Sequence, residues 1–162
     1  MTDLHTLDVA TMNGVDANRL WDRVRTQSIC FDDFSRDRGE LFAARLVSPS
    51  TVAFEYKDDG LILVENIVPR LSAEMHFFVW NPRLHESEIT AVGRDVCRYV
   101  FDTYQLHRLS AFPPAFNKLA VRIATRVGFR FEGMIRQMFL YKGVYQDVEI
   151  RGLLADEFRR IS

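Results

Sequence analysis

Two titratable side chains, Glu74 and His76, stand two residues apart in a segment that alternates like a β-strand. Side chains at positions i and i+2 of a strand point to the same face, so the carboxylate and the imidazole are predicted to be neighbours. Such a pair can take a proton from a reacting group and relay it, which is general base catalysis. Polar pairs with this spacing also occur on solvent-facing strands without any function, and the sequence leaves both interpretations open.

A second group of candidates opens the helical pattern near residue 117. Asn117 precedes a run in which Lys118, Arg122 and Arg126 recur at intervals of four and therefore share one helix face. The basic stripe fits a phosphate or an acidic partner, and it equally fits an ordinary solvated face. Asn117 is suited to contacting a ligand or orienting a water, and an N-cap role accounts for it just as well.

The charge distribution restricts the partners that the protein can have. The net charge is −1, so no overall field attracts nucleic acid or an anionic membrane. Basic residues are concentrated between positions 105 and 142, where Glu132 is the only acid, so an anion site is expected in the C-terminal half. No nucleic-acid-binding motif accompanies this excess, which argues against nucleic acid as a partner.

Length and cysteine usage restrict the class of protein further. The 162 residues are 48% hydrophobic, enough for one folded domain over residues 1–162 and too few for two. Cys30 and Cys97 are far apart and have no histidine at ligand spacing, which predicts reduced thiols and no metal site. No segment has the pattern of a secretory signal or a membrane span, so a cytoplasmic location without membrane attachment is expected.

Hydrophobic periodicity alternates between helical and strand patterns along the whole chain, which predicts an α/β fold. Strands are predicted over Leu4–Thr11, residues 52–57, Leu61–Val68, Ser72–Trp80, Arg108–Phe112, Phe131–Tyr141 and Val144–Leu154. Helices are predicted from an N-cap at Asp16 to Ile29, over Arg36–Val47, over Glu86–Tyr104, and from Asn117 to Gly128, the latter with an apolar stripe that includes Leu119. The resulting order is β-α-α-β-β-β-α-β-α-β-β.

This order, together with several local strings, resembles the GNAT superfamily of acyl-CoA-dependent N-acyltransferases over nearly the whole chain. The branch that acetylates the N-termini of ribosomal proteins is the most similar. The strings that carry the resemblance are the segment Asn117–Phe129, Glu132-Gly133, Arg136, the segment Gly143–Asp147 and the tail Leu153–Glu157. The resemblance implies a mixed, centrally splayed sheet flanked by helices, with acetyl-CoA bound where the two central parallel strands part.

The resemblance also suggests roles for individual residues. Glu74 matches the position of the general base, and with His76 and Asn117 it forms the predicted catalytic set. The residues that would bind the cofactor are Phe78, Val79, Ser87, Glu88, Ile89, Thr90, Asn117, Lys118 and Arg122. Ala124 stands where the family frequently has a tyrosine acid, and Tyr141 and Tyr145 are the possible substitutes.

The sequence departs from the family in the turn that binds pyrophosphate. The family has an Arg/Gln-x-x-Gly-x-Gly/Ala turn, whereas this chain has His85, Glu88 and Thr90 at the three positions. Glu86 and Glu88 fall in the first helical turn, where acids favour the helix dipole and repel a phosphate. Weak acetyl-CoA binding is therefore expected.

Two classes of function follow. The first is transfer of an acetyl group from acetyl-CoA to a primary amine, including a protein N-terminus. The second is a non-catalytic binding or assembly role that includes self-association, as in some bacteriophage proteins of this fold that are similar around residues 75–78. The altered turn favours the second class, whereas the well-matched segment from Asn117 to Asp147 favours the first.

Overall fold

The computed structural model describes residues 4–7 and 14–161, and in them seven strands form one mixed sheet. The strands are β1 (Leu4–Leu7), β2 (Val52–Tyr56), β3 (Gly60–Val68), β4 (Ser72–Val79), β5 (Arg108–Ala111), β6 (Arg130–Tyr141) and β7 (Val144–Leu154). Their order across the sheet is β1-β2-β3-β4-β5-β7-β6, so β4 is the central strand as predicted. Only β4 and β5 pair in parallel, and every other neighbouring pair is antiparallel.

Five helices cover the two faces of the sheet. They are α1 (Gly14–Val24), α2 (Gly39–Leu46), α3 (Glu86–Tyr104), α4 (Lys118–Val127) and α5 (Ala155–Ile161). The apolar stripes of α3, α4 and α5 pack on one face, against the side chains of Val64, Ala73 and Met75. Helices α1 and α2 pack on the other face, against Leu61, Leu63 and Phe78. Alternation along β3 and β4 therefore supplies both cores, as expected for strands buried on two sides.

Helix α3 can approach the sheet closely because it has a glycine at its contact with β4 and α4. A Cβ on Gly93 would come within 2.9 Å of both the Phe77 ring and the Val127 side chain. Any larger residue would push α3 outward. The predicted ends of α3, at Glu86 and Tyr104, are confirmed, and so is the N-cap of α4, where Asn117 Oδ1 accepts a hydrogen bond from Ala120 N at 3.2 Å.

The N-terminal helices are shorter than the sequence predicts. Asp16 lies in the first turn of α1 instead of capping it. At the other end, i→i+3 bonds tighten the last turn, and the Thr26 hydroxyl donates to the Arg23 carbonyl. Helix α1 therefore ends at Val24. The start of α2 is displaced to Gly39. The Asp32 carboxylate accepts bonds from Ser35 N and Oγ, both at 2.7 Å, and holds the preceding segment in turns.

Three smaller differences concern the remaining elements. Strand β1 is described only over Leu4–Leu7, and the rest of its predicted length lies outside the described residues. Leu119 was expected in the apolar stripe of α4, but it is 45% exposed because the buried residues of this helix, Ile123, Ala124 and Val127, begin one turn later. Helix α5, in which Phe158 packs on Phe101, was not predicted at all.

Candidate active site

A crevice opens in the middle of the sheet, where β4 and β5 separate. The two strands pair only from Ser72–Arg108 to Glu74–Ser110, although β4 continues to Val79. After β5 the chain follows β7 instead: Glu149 N donates to Pro113 O at 3.0 Å, and Ala115 N donates to Asp147 O at 2.8 Å. Pro113 and Pro114 have no N–H to donate toward β4, which favours this divergence. The second half of β4 is thereby left without a strand on its β5 side.

Polar side chains mark the point at which the strands separate. Glu65 on β3, Glu74 on β4 and Ser110 on β5 are neighbours in register and lie on the face that α1 and α2 partly cover. We call these three residues the polar row. Arg45 of α2 reaches Glu65 with both Nε and Nη2, with Nε 2.8 Å from Oε1. Arg108 donates from Nε to Ser110 Oγ at 3.2 Å and binds the Glu132 carboxylate at 2.7 and 3.2 Å.

The structure gives Glu74 and His76 different partners. Glu74 accepts a bond from Asn66 Nδ2 at 3.1 Å. His76 Nε2 lies 3.2 Å from Glu65 Oε2, so the contact of the imidazole is with Glu65 and not with Glu74. Burial, followed by the charge of Arg45, lowers the pKa of His76 to about 4 against the opposing effect of Glu65. His76 is therefore a neutral imidazole at physiological pH, and 31% of its side chain remains exposed.

Glu65 and its partner Arg45 are site residues that the sequence analysis missed. Glu65 is 7% exposed, and although burial raises the pKa of its carboxyl, the bonds and charge of Arg45 outweigh burial and the pKa is lowered. The signal was present in the sequence as a single acid within the apolar run of a central strand. Such a carboxylate needs a cationic partner, but the sequence does not show which of many arginines reaches it.

The basic stripe on α4 is held by the start of α3. Glu86 is the first residue of α3, and its two carboxylate oxygens each lie 2.7 Å from an arginine of α4, Oε1 from Arg122 and Oε2 from Arg126. Bonding from Arg122, followed by the charge of Arg126, lowers the pKa of the Glu86 carboxyl. We call this three-residue cluster the clasp. It spans the gap between the two helices beside the crevice.

Glu88 points to a different part of the molecule. Its carboxylate accepts bonds from the Tyr56 hydroxyl and from Lys57 Nζ, the latter at 3.0 Å, and both groups come from the β2 side. Residues two apart on a helix differ by roughly 200° in direction, which separates Glu88 from the clasp. Neither acid caps α3, whose N-cap residue His85 makes no side-chain cap bond. Both acids were expected from the sequence to oppose a phosphate, but only Glu86 faces the α4 side.

The remaining candidate residues for cofactor binding differ in what they can offer. Phe78 and Ile89 are 3% and 5% exposed, and their side chains belong to the two cores, so these side chains are not available to a ligand. Val79 packs against the core beneath α3. The Thr90 hydroxyl donates to Glu86 O at 2.6 Å, whereas Ser87 is exposed. Lys118 donates from Nζ to Ala115 O at 2.6 Å, and Asn117 caps α4.

A segment between α1 and α2 links the two halves of the parted sheet. On the β4 side, Phe31 stacks on Phe78 with ring centroids 5.8 Å apart. On the other side, the Asp33 carboxylate accepts bonds from Lys142 N at 2.9 Å and Gly143 N at 2.7 Å, at the tip of the β6–β7 hairpin. These two bonds lower the pKa of Asp33. The segment thus crosses the crevice on the α1 and α2 face, a placement that sequence patterns did not reveal.

The rest of the described chain offers few alternative sites. A surface cavity of about 500 Å³ lies on the edge strand β6, lined by residues 134–137, and none of the predicted site residues lines it. Within residues 4–7 and 14–161, no group of His, Cys, Asp and Glu side chains is placed to hold a metal ion. None of the described helices is long and apolar enough to cross a membrane. The two tyrosines named as possible substitutes for the family's acid have different surroundings. Tyr145 is 63% exposed, whereas Tyr141 stacks on Phe116 with ring centroids 5.0 Å apart.

Comparison with solved structures identifies the fold. A spermidine N-acetyltransferase from Vibrio cholerae, in complex with CoA and spermine, matches with a TM-score of 0.75 and 20% identity over 97% of this chain and 98% of that one. A probable acetyltransferase matches with a TM-score of 0.70 and 20% identity over 94% and 98% of the two chains. The sequence matches no protein-family model and, at a significant level, no curated protein. The chain therefore has the fold of the GNAT N-acetyltransferases, as predicted.

Proposed function

We propose that this protein is an N-acetyltransferase that transfers an acetyl group from acetyl-CoA to a primary amine. The observation that carries the proposal is the parting of β4 and β5 with the Glu74 carboxylate at the point of separation. The structural neighbour that was solved with CoA and spermine supports both halves of the proposal, because it was captured with a cofactor and an amine. A protein N-terminus is one such amine.

The residues around the crevice fit acetyl-CoA. Beyond Glu74, β4 has no partner strand on its β5 side, so backbone groups that strand pairing would otherwise use can bond a pantetheine chain. The first turn of α3 has no side-chain cap, and Arg122 and Arg126 lie next to it, which together suit a pyrophosphate. Glu86 already occupies both arginines, so binding is expected to be weak. When bound, the cofactor supplies the acetyl thioester.

Glu74 and His76 supply the proton chemistry of the reaction. An alkylammonium ion must lose a proton before its nitrogen can attack a carbonyl carbon, and Glu74 is the carboxylate placed to accept that proton at the crevice. His76 is neutral and remains partly exposed, so it can accept a hydrogen bond from the amine or from a water molecule. Asn117 acts indirectly, because its side chain fixes the start of α4 at the crevice.

One observation favours the alternative of a non-catalytic binding protein. The clasp places a carboxylate between the arginines that a phosphate would otherwise occupy. In that case the crevice would be a remnant of the fold, and acetyl-CoA would not bind at all. The two functions therefore differ in whether the wild-type protein binds and turns over acetyl-CoA.

The experiment measures release of the CoA thiol from acetyl-CoA in the presence of primary amines, with wild-type protein and the Glu74→Gln variant. We expect the variant to lose about 10²-fold or more in kcat with little change in the affinity for acetyl-CoA, which is the signature of a lost general base. Glu55→Gln is the matched control, since Glu55 lies on the same sheet face but binds Arg19 of α1. Equal rates for wild type and Glu74→Gln would remove Glu74 from the mechanism, and absence of acetyl-CoA binding would favour the non-catalytic function.

A further inference from the structure

The carboxylates near the crevice differ in whether an arginine neutralises them. Glu65 is bound by Arg45 through two nitrogens, and Glu132 is bound by Arg108 through two nitrogens. Glu74, which lies in register between Glu65 and Ser110, receives only the amide of Asn66. In the described part of the chain, no cationic group binds Glu74.

The three carboxylates are close enough for one small substrate to interact with all of them. Glu65 and Glu74 are direct cross-strand partners, which places their Cβ atoms about 5 Å apart. The Glu132 carboxylate lies over Gly152, where an added Cβ would be 2.2 Å from Oε1, and Gly152 is the register partner of Ser110. Glu132 is therefore about two strand spacings, roughly 10 Å, from Glu74.

The charges of this region nearly cancel. Glu65, Glu74 and Glu132 are opposed by Arg45 and Arg108, and His76 adds no charge because it is neutral. One uncompensated negative charge remains, and it is on Glu74. A substrate with one ammonium group matches this pattern. A second ammonium group, a short methylene chain away, would meet carboxylates that are already bound to guanidinium groups and would be repelled by those arginines.

We propose that Arg45 and Arg108 determine the acceptor specificity of the crevice, by neutralising the carboxylates on either side of Glu74 so that amines with a single positive charge are preferred over polyamines. The inference rests on the proposed N-acetyltransferase activity and refines it. It also separates this chain from those structural neighbours that are spermidine N-acetyltransferases.

The test compares two acceptors that differ only in a second ammonium group, butylamine and 1,4-diaminobutane. The quantity measured is the ratio of kcat/KM for the diamine to kcat/KM for the monoamine. In the wild type we expect a ratio below one. Releasing a flanking carboxylate with Arg45→Gln or Arg108→Gln should raise the ratio by about 3- to 10-fold, and the gain should shrink as salt is added.

Two further variants, and the use of two separate crevice arginines, make the result interpretable. Arg45→Lys keeps the positive charge and should keep the wild-type ratio, which a merely structural role of Arg45 would not predict. Arg19→Gln releases Glu55, a carboxylate on β2 away from the crevice, and should leave the ratio unchanged. Arg108→Gln keeps the question answerable if Arg45→Gln does not fold, because its ion pair with Glu132 is partly exposed.

The outcomes distinguish this inference from the proposed function. If the wild type acetylates amines but prefers the diamine, or if neither crevice arginine affects the ratio while the variants remain folded, the specificity inference is wrong and the activity stands. If the wild type acetylates neither amine nor any other primary amine, the proposed function fails and the inference fails with it.

Discussion

Replacing Glu86 with glutamine removes the negative charge of the clasp and keeps the size of the side chain. In the wild type the Glu86 oxygens lie 2.7 Å from Arg122 Nη2 and 2.7 Å from Arg126 Nη1. Any phosphate that uses these arginines must first displace the carboxylate and then remain close to it. Glu86→Gln removes both obstacles, so acetyl-CoA should bind more tightly to the variant than to the wild type.

The size of the gain follows from the exposure of the ion pairs. The two arginine side chains are 52% and 54% exposed and Glu86 is 29% exposed, so water and salt screen both contacts. An exposed pair typically changes an equilibrium constant by about 1.4- to 5-fold. Breaking two such pairs before binding therefore costs roughly 2- to 30-fold in affinity, and the variant should recover that factor.

Isothermal titration calorimetry with acetyl-CoA measures the effect at low and moderate salt. The Debye length falls to about 10 Å at 0.1 M salt, so the difference between wild type and variant should become smaller as salt is added. Glu157→Gln is the matched control, because it breaks an ion pair with Arg130 at 2.7 Å on α5, away from the crevice. Equal affinities for wild type and Glu86→Gln at low salt would show that acetyl-CoA does not use the arginines of the clasp.

Three other predictions concern the stability of the fold. Arg151→Leu should lower the free energy of unfolding by about 3–5 kcal/mol in urea titrations, because Arg151 is 8% exposed and binds Glu149 at 2.7 Å, and its loss leaves a buried carboxylate unpaired. Asn117→Ala should cost about 0.5–2 kcal/mol in the same assay through the lost cap of α4, and Asn117→Asp should restore most of it. The native pKa of His76 is lowered to about 4, so the unfolded protein binds more protons between that value and about pH 6.5, and stability should rise with pH over this window. His76→Gln should remove this rise in the free energy of unfolding with pH, which amounts to about 1–2 kcal/mol across the window after allowance for solvent exposure. An unchanged dependence on pH in the variant would show that the pKa of His76 is not lowered in the folded protein.

Long elements with complete local signals could be predicted from the sequence. Helix α3 has an unbroken apolar stripe, and both of its predicted ends are confirmed. The β6–β7 hairpin was also predicted, because Lys142 and Gly143 separate two alternating runs; in the structure both residues have positive φ. The end of α1 could not be predicted, since it depends on local hydrogen bonds of Thr26 that compete with helical periodicity.

Only the features of the candidate site that follow from strand alternation were predicted. Alternation predicted that Glu74 and His76 share one face of the central strand, and they do. It could not show that Arg45, 20 residues before Glu65 in sequence, neutralises that carboxylate, or that His76 contacts Glu65. The direction of the Glu86 and Glu88 side chains was missed for the same reason, because their partners come from α4 and from the end of β2. Long-range ion pairs depend on the packing of elements and leave no periodic signal.

The central claim is that the crevice beside Glu74 catalyses acetyl transfer to an amine. The most direct measurement incubates the protein with butylamine and acetyl-CoA that carries an isotopically labelled acetyl group, and follows labelled N-acetylbutylamine by mass spectrometry. We predict labelled product in molar excess over the wild-type protein, and a rate of product formation with Glu74→Gln that is lower by about 10²-fold or more. Product formation no faster than without protein, under conditions in which calorimetry shows acetyl-CoA bound, would contradict the account.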